Sequence, residues 1–529
     1  MQTAEQQRVE APDQPVPARR TIAGRPWVTV VGLGALMFWL GWLGFQMFGA
    51  WYWVDESMTI GIASHPVTEI PTVLRQDGTP PLFYVLLHFW MRLFGTGEQA
   101  TASLAMIFAL ACVPAAYWVG SSLFSRRVGW YCAVLATTNG LLIRYSNETR
   151  MYSLLALLSL LATGAFLHAF VFRRRGYVAM FSVVLCAMLY THTWAVFFVA
   201  AAAIALIPCI VVANDRRRIM LDGLLAFAAA GAGFLPWLPN LLYQRAHTGA
   251  PWAPLPSPKE LYLRPIRLVG GWLPFFVIAP LGGLGVAQML RRRRSRATVA
   301  YGVAALLLAV FLVTAWISAQ INPGWSARYF IGIMGPVVLV VGVALARAGR
   351  WGLVALIVVA LLTARPVDIF PERKVGMSEL SNLKGVARSI GPRLQPGDLV
   401  LSMEPGQLTT LHHYLPPGLR YGTSMGPVRD PGVIDWRDVV DRLERADVRR
   451  NVTDMVDAVP VGGHVVVATP NFIRETNLTR YFELVNRNGR MLLQTVTRDP
   501  RMVQQLVVPR AGSYPVGASA YVRVFERTS

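Results

Sequence analysis

WVTVVGLGALMFWLGWLGFQMFGAWYWVDE, residues 27–56, decides the fold. A helix crossing the hydrocarbon core of a bilayer needs ~20 predominantly apolar residues. Trp27 to Ala50 meets that length without one charged side chain, then passes through Trp51, Tyr52 and Trp53 into Asp55 and Glu56. Aromatic residues collect at membrane–water interfaces, so the acidic pair is expected at one membrane surface. Upstream, a polar stretch rich in Pro and Gln carries Arg19, Arg20 and Arg25 immediately before the apolar run. Lys and Arg accumulate on the cytoplasmic side, which puts residues 1–26 in the cytoplasm as a tail and the acidic pair outside. The run is long and has no clear small-residue cleavage site, so it reads as an anchor rather than a signal peptide.

The rest of the chain extends the pattern. In 529 residues, 54% are hydrophobic and 15% charged, a composition without an aqueous solution as one soluble domain. The net charge of +21 does not point to nucleic acid, because arginines in the first two-thirds sit in short clusters between apolar runs, where they set topology. Lysine occurs only at Lys259, Lys374 and Lys384, an arginine bias suited to a GC-rich bacterial genome. After an external segment, 51–99, whose stretch PPLFYVLLHFW is read as a helix lying at the interface, spans are expected at Thr101–Phe124, Trp130–Ile143, Met151–Phe172, Tyr177–Tyr190 and Trp194–Ala213. Further spans are expected at Ile219–Leu242, Ile266–Leu290, Val299–Ile321, Phe330–Leu345 and Trp351–Thr363. With about eleven transmembrane helices, the basic clusters at Arg126–Arg127, Arg173–Arg175, Arg216–Arg218, RRRRSR and Arg347–Arg350 all fall on one side. The chain is therefore expected to be mainly α, a multi-pass protein of the bacterial plasma membrane.

From about Arg365 the character changes. Charged residues become frequent, DLVLSM, HVVVAT, LLQTVT and YVRVFE have strand length, and WRDVVDRLERA reads as a helix. Residues 365–529 are thus an extracytoplasmic soluble α/β domain following a transmembrane domain, 27–364. His412, His413 and His464 lack metal-ligand spacing, which favours an accessory role for this domain. Cys112, Cys132, Cys186 and Cys209 lie in apolar runs and imply no disulfide framework. The sequons at Asn147, Asn451 and Asn477 are read as chance in a bacterium.

Charged groups at membrane depth are costly and need a partner or a task. Asp55 and Glu56 could simply end a helix at the interface. However, the other external loops supply polar groups at the same level: Asp77 in RQDGTPPLFY, Arg144 and Arg150 in RYSNETRMY, His192 in YTHTW, and Arg328 with Tyr329 in WSARYF. Each has an ordinary alternative: headgroup contact or snorkelling for the arginines, a structural turn for His192, a turn cap for Asp77. A transporter would instead place its ionisable residues in mid-span near broken helices. No P-loop, dinucleotide glycine motif or cytoplasmic DxD is present, so chemical energy would have to arrive with a lipid-linked donor.

The acidic pair after the first helix, DGTPPLFYVLLHFW, RYSNETRMYSL, YTHTWAVFF and ARYFIGIMGP together resemble the motifs of GT-C fold glycosyltransferases, in the branch of protein O-mannosyltransferases and lipid A aminoarabinose transferases. The resemblance covers about Trp27 to Pro336. It implies transfer of a sugar from a polyprenyl-phosphate carrier to an acceptor at the external face, with Asp55 as the catalytic carboxylate. Removing the acceptor hydroxyl proton suits a carboxylate, and guanidinium groups suit the departing phosphate. On this reading Glu56 orients Asp55, binds a sugar hydroxyl or faces a metal. Arg144, Arg150, Arg328 and His192 bind the donor phosphate, and Asp77 and Tyr329 are secondary substrate contacts. No cofactor is obligatory, and room is left for a divalent metal. Mannose with an envelope glycolipid or lipoglycan acceptor is the favoured substrate pair. A polymerase or ligase of lipid-linked glycans, a lipid or polysaccharide transporter and a noncatalytic envelope scaffold are the alternatives.

Overall fold

A computed structural model of the chain describes residues 26–45, 51–291, 295–363, 381–470, 479–508 and 520–529. The expected tail, the last residues of the first span, the boundary at 364–365 and the sequon at Asn477 lie outside these residues.

The first half is helical throughout: α1 (Pro26–Phe45), α2 (Val54–Ser64), α3 (Ile70–Asp77), α4 (Leu82–Phe94), α5 (Glu98–Leu123), α6 (Arg126–Thr137) and α7 (Gly140–Tyr145). Then follow α8 (Tyr152–Phe166), α9 (Gly176–Thr191), α10 (Ala195–Val211), α11 (Arg216–Phe234), α12 (Leu238–His247), α13 (Glu260–Leu268), α14 (Trp272–Arg291), α15 (Arg296–Ile321), α16 (Met334–Arg347) and α17 (Gly349–Thr363). Among the described residues seven helical stretches are long and apolar enough to cross a membrane, and α4, α9, α10 and α17 are shorter apolar helices.

Two expected spans differ in form. Trp130–Ile143 is not one helix: α6 ends at Thr137 and α7 restarts at Gly140, with the Asn139 side chain accepting from the amides of Leu141 and Leu142. That cap satisfies amides which a continuous helix would have bonded internally. The span expected from Ile266 begins instead at Trp272, because Gly270 and Gly271 both take positive φ and separate α13 from α14. Without a hydrophobic force between helices in lipid, close packing needs small residues. Gly120 on α5 and Gly129 on α6 show this: a Cβ on Gly120 would lie 2.8 Å from the Gly129 Cα. Helix α4 buries Phe83, Tyr84 and Leu87 and leaves Leu86, Phe89 and Leu93 exposed, so apolar side chains lie on both its inner and its outer side.

The C-terminal part contains α18 (Leu383–Ile390), β1 (Leu399–Ser402), α19 (Gly406–Tyr414), β2 (Arg420–Thr423), β3 (Gly426–Val428), α20 (Val439–Arg445), α21 (Val448–Asp457), β4 (His464–Pro470), α22 (Arg480–Arg498), β5 (Met502–Val508) and β6 (Ala520–Arg527). One sheet runs β3-β2-β1-β4-β6-β5, with β2, β1 and β4 parallel and the remaining pairings antiparallel. Alternation along the strands fills both faces: Val400, Val466, Val522 and Val524 pack on one side, Leu399, Leu401, Val465, Val467 and Phe525 on the other. DLVLSM, HVVVAT and YVRVFE form β1, β4 and β6, whereas LLQTVT belongs to α22. Its apolar residues continue a helical stripe through Leu484, Val485, Leu492 and Val496, and that longer period prevails over the short apolar run.

Candidate active site

Asp55 and Glu56 occupy the first turn of α2, where the helix dipole favours carboxylates. They point to different partners. Asp55 Oδ2 pairs with Arg328 Nη1, supplied by the 3₁₀ turn Ala327–Ile333, and the two side chains are only 18% and 15% exposed. Among the described residues Asp55 Oδ1 has no partner. The Arg328 guanidinium is enclosed by rings, with its Cζ 5.3 Å from the Trp252 centroid, 5.6 Å from Tyr329, 5.9 Å from Trp53 and 6.0 Å from Tyr152. Cation–π attraction is strongest where water is excluded, so this box holds a positive charge in place. Buried Arg150 donates from Nη1 to Thr59 Oγ1 at 2.8 Å and to the Asp55 carbonyl at 3.4 Å, tying the first two turns of α2 to the loop before α8.

Glu56 is buried and accepts the Thr149 amide at 2.8 Å. Burial, and then the neighbouring Glu148 carboxyl, push its pKa up to about 8. Glu148 is itself buried and raised by burial, and its Oε1 has no partner among the described residues. Burial also raises Asp77, which is held by Thr79 and by Tyr84 at 3.1 Å, with Arg150 opposing the rise. The Trp194 amide donates to His192 Nδ1 at 3.1 Å, so a neutral ring carries its proton on Nε2. Burial, with Arg150 and Arg328 nearby, lowers His192 to about 3 and keeps it neutral. The Tyr329 ring lies 4.8 Å from the His192 ring, tilted by 56°. Arg144, on α7, stands near the Tyr145 ring and the Glu148 carboxyl.

The C-terminal part of the chain reaches this cluster. The start of α19 lies on α2, where Thr409 Oγ1 donates to the Val54 carbonyl at 3.5 Å. Buried Glu404, at the C-terminal end of β1, accepts from Tyr481 at 3.1 Å and from the Gln407 amide at 3.1 Å. The Asp55 charge adds to the burial that raises it. Tyr414 accepts the Tyr52 amide at 2.9 Å and donates to Glu98, which also pairs with Lys384. His65 meets Asp430 at 3.1 Å, and Gly61 packs against the backbone of Gly432.

Asp55, Glu56, Asp77, Arg150, His192, Arg328 and Tyr329 are thus brought into one cluster, which Arg144 meets through Glu148. Sequence reasoning missed Trp53, Glu148, Tyr152, Trp252 and Glu404. Glu148 had a signal, since it is an acid between two arginines in RYSNETRMY. Trp252 and Glu404 had none, because only the folded chain brings their loops to α2. Four buried donors in the cluster have no partner among the described residues: Trp53 Nε1, Arg150 Nε, Tyr152 Oη and Arg328 Nε. A buried donor without an acceptor is costly, and an oxygen-rich anion is a group that would satisfy several at once. Among the described residues no group of three or more His, Cys, Asp or Glu side chains could hold a metal ion.

No family model matches the chain, and no curated protein matches it by sequence. Solved structures do. ArnT from Cupriavidus metallidurans, in a structure bound to undecaprenyl phosphate, has a TM-score of 0.58 at 14% identity, with 94% of this chain and 98% of that chain covered. The archaeal oligosaccharyltransferase AglB from Archaeoglobus fulgidus, in complex with an inhibitory peptide and a dolichol-phosphate, has a TM-score of 0.51 at 11% identity, covering 84% of this chain and 70% of its own. The arabinofuranosyltransferase AftD from Mycobacteria has a TM-score of 0.52 at 12% identity, covering 96% of this chain and 40% of its own. The chain has the GT-C fold, and the likeness to ArnT runs through both of its parts.

Proposed function

We propose that this protein is a membrane glycosyltransferase that takes a sugar from a polyprenyl-phosphate carrier. The observation that carries the reading is the set of four unpartnered buried donors around the Asp55–Arg328 pair. Two similar structures supply a matching ligand: one is bound to undecaprenyl phosphate and another to a dolichol-phosphate.

Chemically, the acceptor hydroxyl attacks the anomeric carbon while Asp55 takes its proton. The bond from that carbon to the phosphate oxygen breaks, and the lipid phosphate leaves with the electron pair. Asp55 Oδ1 is the oxygen suited to act as base, since Oδ2 is engaged by Arg328. Arg328 and Arg150 stabilise charge on the leaving phosphate, and His192 Nε2–H offers a neutral donor beside them. Glu56, largely protonated near neutral pH, fixes the loop before α8 through the Thr149 amide rather than serving as a second base. Asp77, near Arg150, and Tyr329, on the Arg328 box, are substrate contacts.

The finer assignments are an envelope glycolipid or lipoglycan acceptor on the extracytoplasmic face and mannose as the sugar. The arginine-rich composition and the motif resemblance support them. The experiment is transfer by purified protein from synthetic polyprenyl-phosphate mannose, glucose and arabinose, coupled to glycolipid analysis of a deletion strain. Release of polyprenyl phosphate with one donor, and loss of the same sugar from the strain, is the expected result. Consumption only of a diphosphate-linked oligosaccharide would move the protein to the ligases.

A further inference from the structure

In the C-terminal part, a cavity of about 370 Å³ opens between His412 of α19, Leu399 of β1 and the β2–β3 hairpin. His412, Arg420, Tyr421 and Arg429 contribute its polar lining, and no acidic residue lines it. Tyr421 is 6% exposed, and its hydroxyl has no partner among the described residues. Arg420 spends Nη1 on the Ala458 carbonyl at 2.8 Å, whereas Arg429 is exposed. The His412 ring stands edge-on to Tyr421 at 5.2 Å. Every charged or polar side chain here can donate, and none is a carboxylate. A ligand that suits such a lining brings acceptors of its own and negative charge.

The cavity is tied to the catalytic helix. Pro431 lines it, the next residue Gly432 packs on Gly61 of α2, and Asp430 pairs with His65 just beyond that helix. Gly61 follows Asp55 along α2 by about 9 Å at ~1.5 Å of rise per residue. A group held in the cavity would therefore lie a few sugar units from the proposed point of transfer.

We propose that this cavity is an acceptor subsite for an anionic group, the carboxylate of a uronate or a sugar phosphate, on the glycan being extended. The proposal rests on the glycosyltransferase reading for its role, but binding can be measured without turnover. The test is saturation-transfer NMR on the full chain in nanodiscs, with methyl glucuronide and methyl glucoside as probes. The expected result is transfer to the glucuronide, much weaker transfer to the glucoside, and loss of the glucuronide signal with added salt. Arg429→Gln should weaken glucuronide binding at least tenfold, and Tyr421→Phe about threefold or more. Arg328→Ala should leave the signal intact, which separates this cavity from the phosphate-binding cluster.

Equal binding of both probes, or unchanged binding in Arg429→Gln and Tyr421→Phe, would overturn the proposal. Nanodiscs of phosphatidylglycerol and phosphatidylcholine distinguish a lipid headgroup from an acceptor. Suppression of the glucuronide signal only in phosphatidylglycerol would assign the cavity to lipid and defeat the acceptor assignment. Specific glucuronide binding alongside failed transfer from every polyprenyl-phosphate sugar would leave the cavity standing and count against the donor assignment alone.

Discussion

Replacing Asp55 by Asn removes the proposed base while keeping the shape of the side chain. General base catalysis contributes roughly 10²–10⁴ in rate, or about 2.7–5.5 kcal/mol at ~1.36 kcal/mol per factor of ten. The structure adds a second effect, because Asp55 is also the partner of Arg328 in a pair whose side chains are 18% and 15% exposed. Losing one partner of a fully buried pair costs about 3–5 kcal/mol. Residual exposure and the amide oxygen, which still accepts from Arg328, reduce that to roughly 1–2 kcal/mol of stability. Asp55→Asn should therefore lower turnover at least a hundredfold and lower the melting temperature in detergent modestly. The double variant Asp55→Asn, Arg328→Gln separates the effects: it should recover melting temperature, since neither charge is left alone, and recover no activity. The assay is release of polyprenyl phosphate from the synthetic donor, read beside thermal unfolding of the same sample. An Asp55→Asn protein that melts and transfers sugar like the wild type would refute the reasoning.

Glu56 titrates near 4.5 in an unfolded chain and near 8 in the fold, so between those values the folded state keeps a proton that the unfolded state has released. Its contribution to stability is full below about 4.5 and is lost as pH rises through about 8. Melting temperature should fall across that window and fall less in Glu56→Gln, and identical slopes would exclude Glu56 as the source. A methyl group at Gly61 would overlap the Gly432 carbonyl oxygen, so Gly61→Ala should loosen the C-terminal part at an overpacking cost of ~1–3 kcal/mol, read as faster proteolysis after residue 381. A reporter fused after Arg365 should be active only outside the cytoplasm and one fused after Arg296 only inside, and the reverse pattern at both would overturn the orientation.

The helices of the membrane part were legible because their apolar runs have the length that crossing a bilayer requires. The break at Asn139 was hidden, because a six-residue helix after a cap looks like the continuation of one apolar stretch. In the C-terminal part, β1, β4 and β6 were readable as apolar runs, whereas β2 (Arg420–Thr423) and β3 (Gly426–Val428) contain Gly and Pro, which read as turn rather than strand. The residues of the candidate cluster were legible where a charge stands beside an apolar run, as at Asp55, Arg150 and Arg328. It was illegible where an ordinary loop contributes, as at Trp252 and Glu404, since nothing local marks a residue whose importance lies in what folds over it.

The Asp55–Arg328 contact joins residues 273 positions apart, and Val54 waits a further stretch for Thr409, 355 positions downstream. At ~5–20 residues per second of synthesis, Arg328 emerges roughly 14–55 s after the carboxylate it will meet. During that interval the helix bearing Asp55 is already made, while its guanidinium and its cover are not. A chain truncated before Ala327 would carry the acid without its counter-charge. Biogenesis thus ends where the chemistry begins, and the earliest reactive group is among the last to be completed.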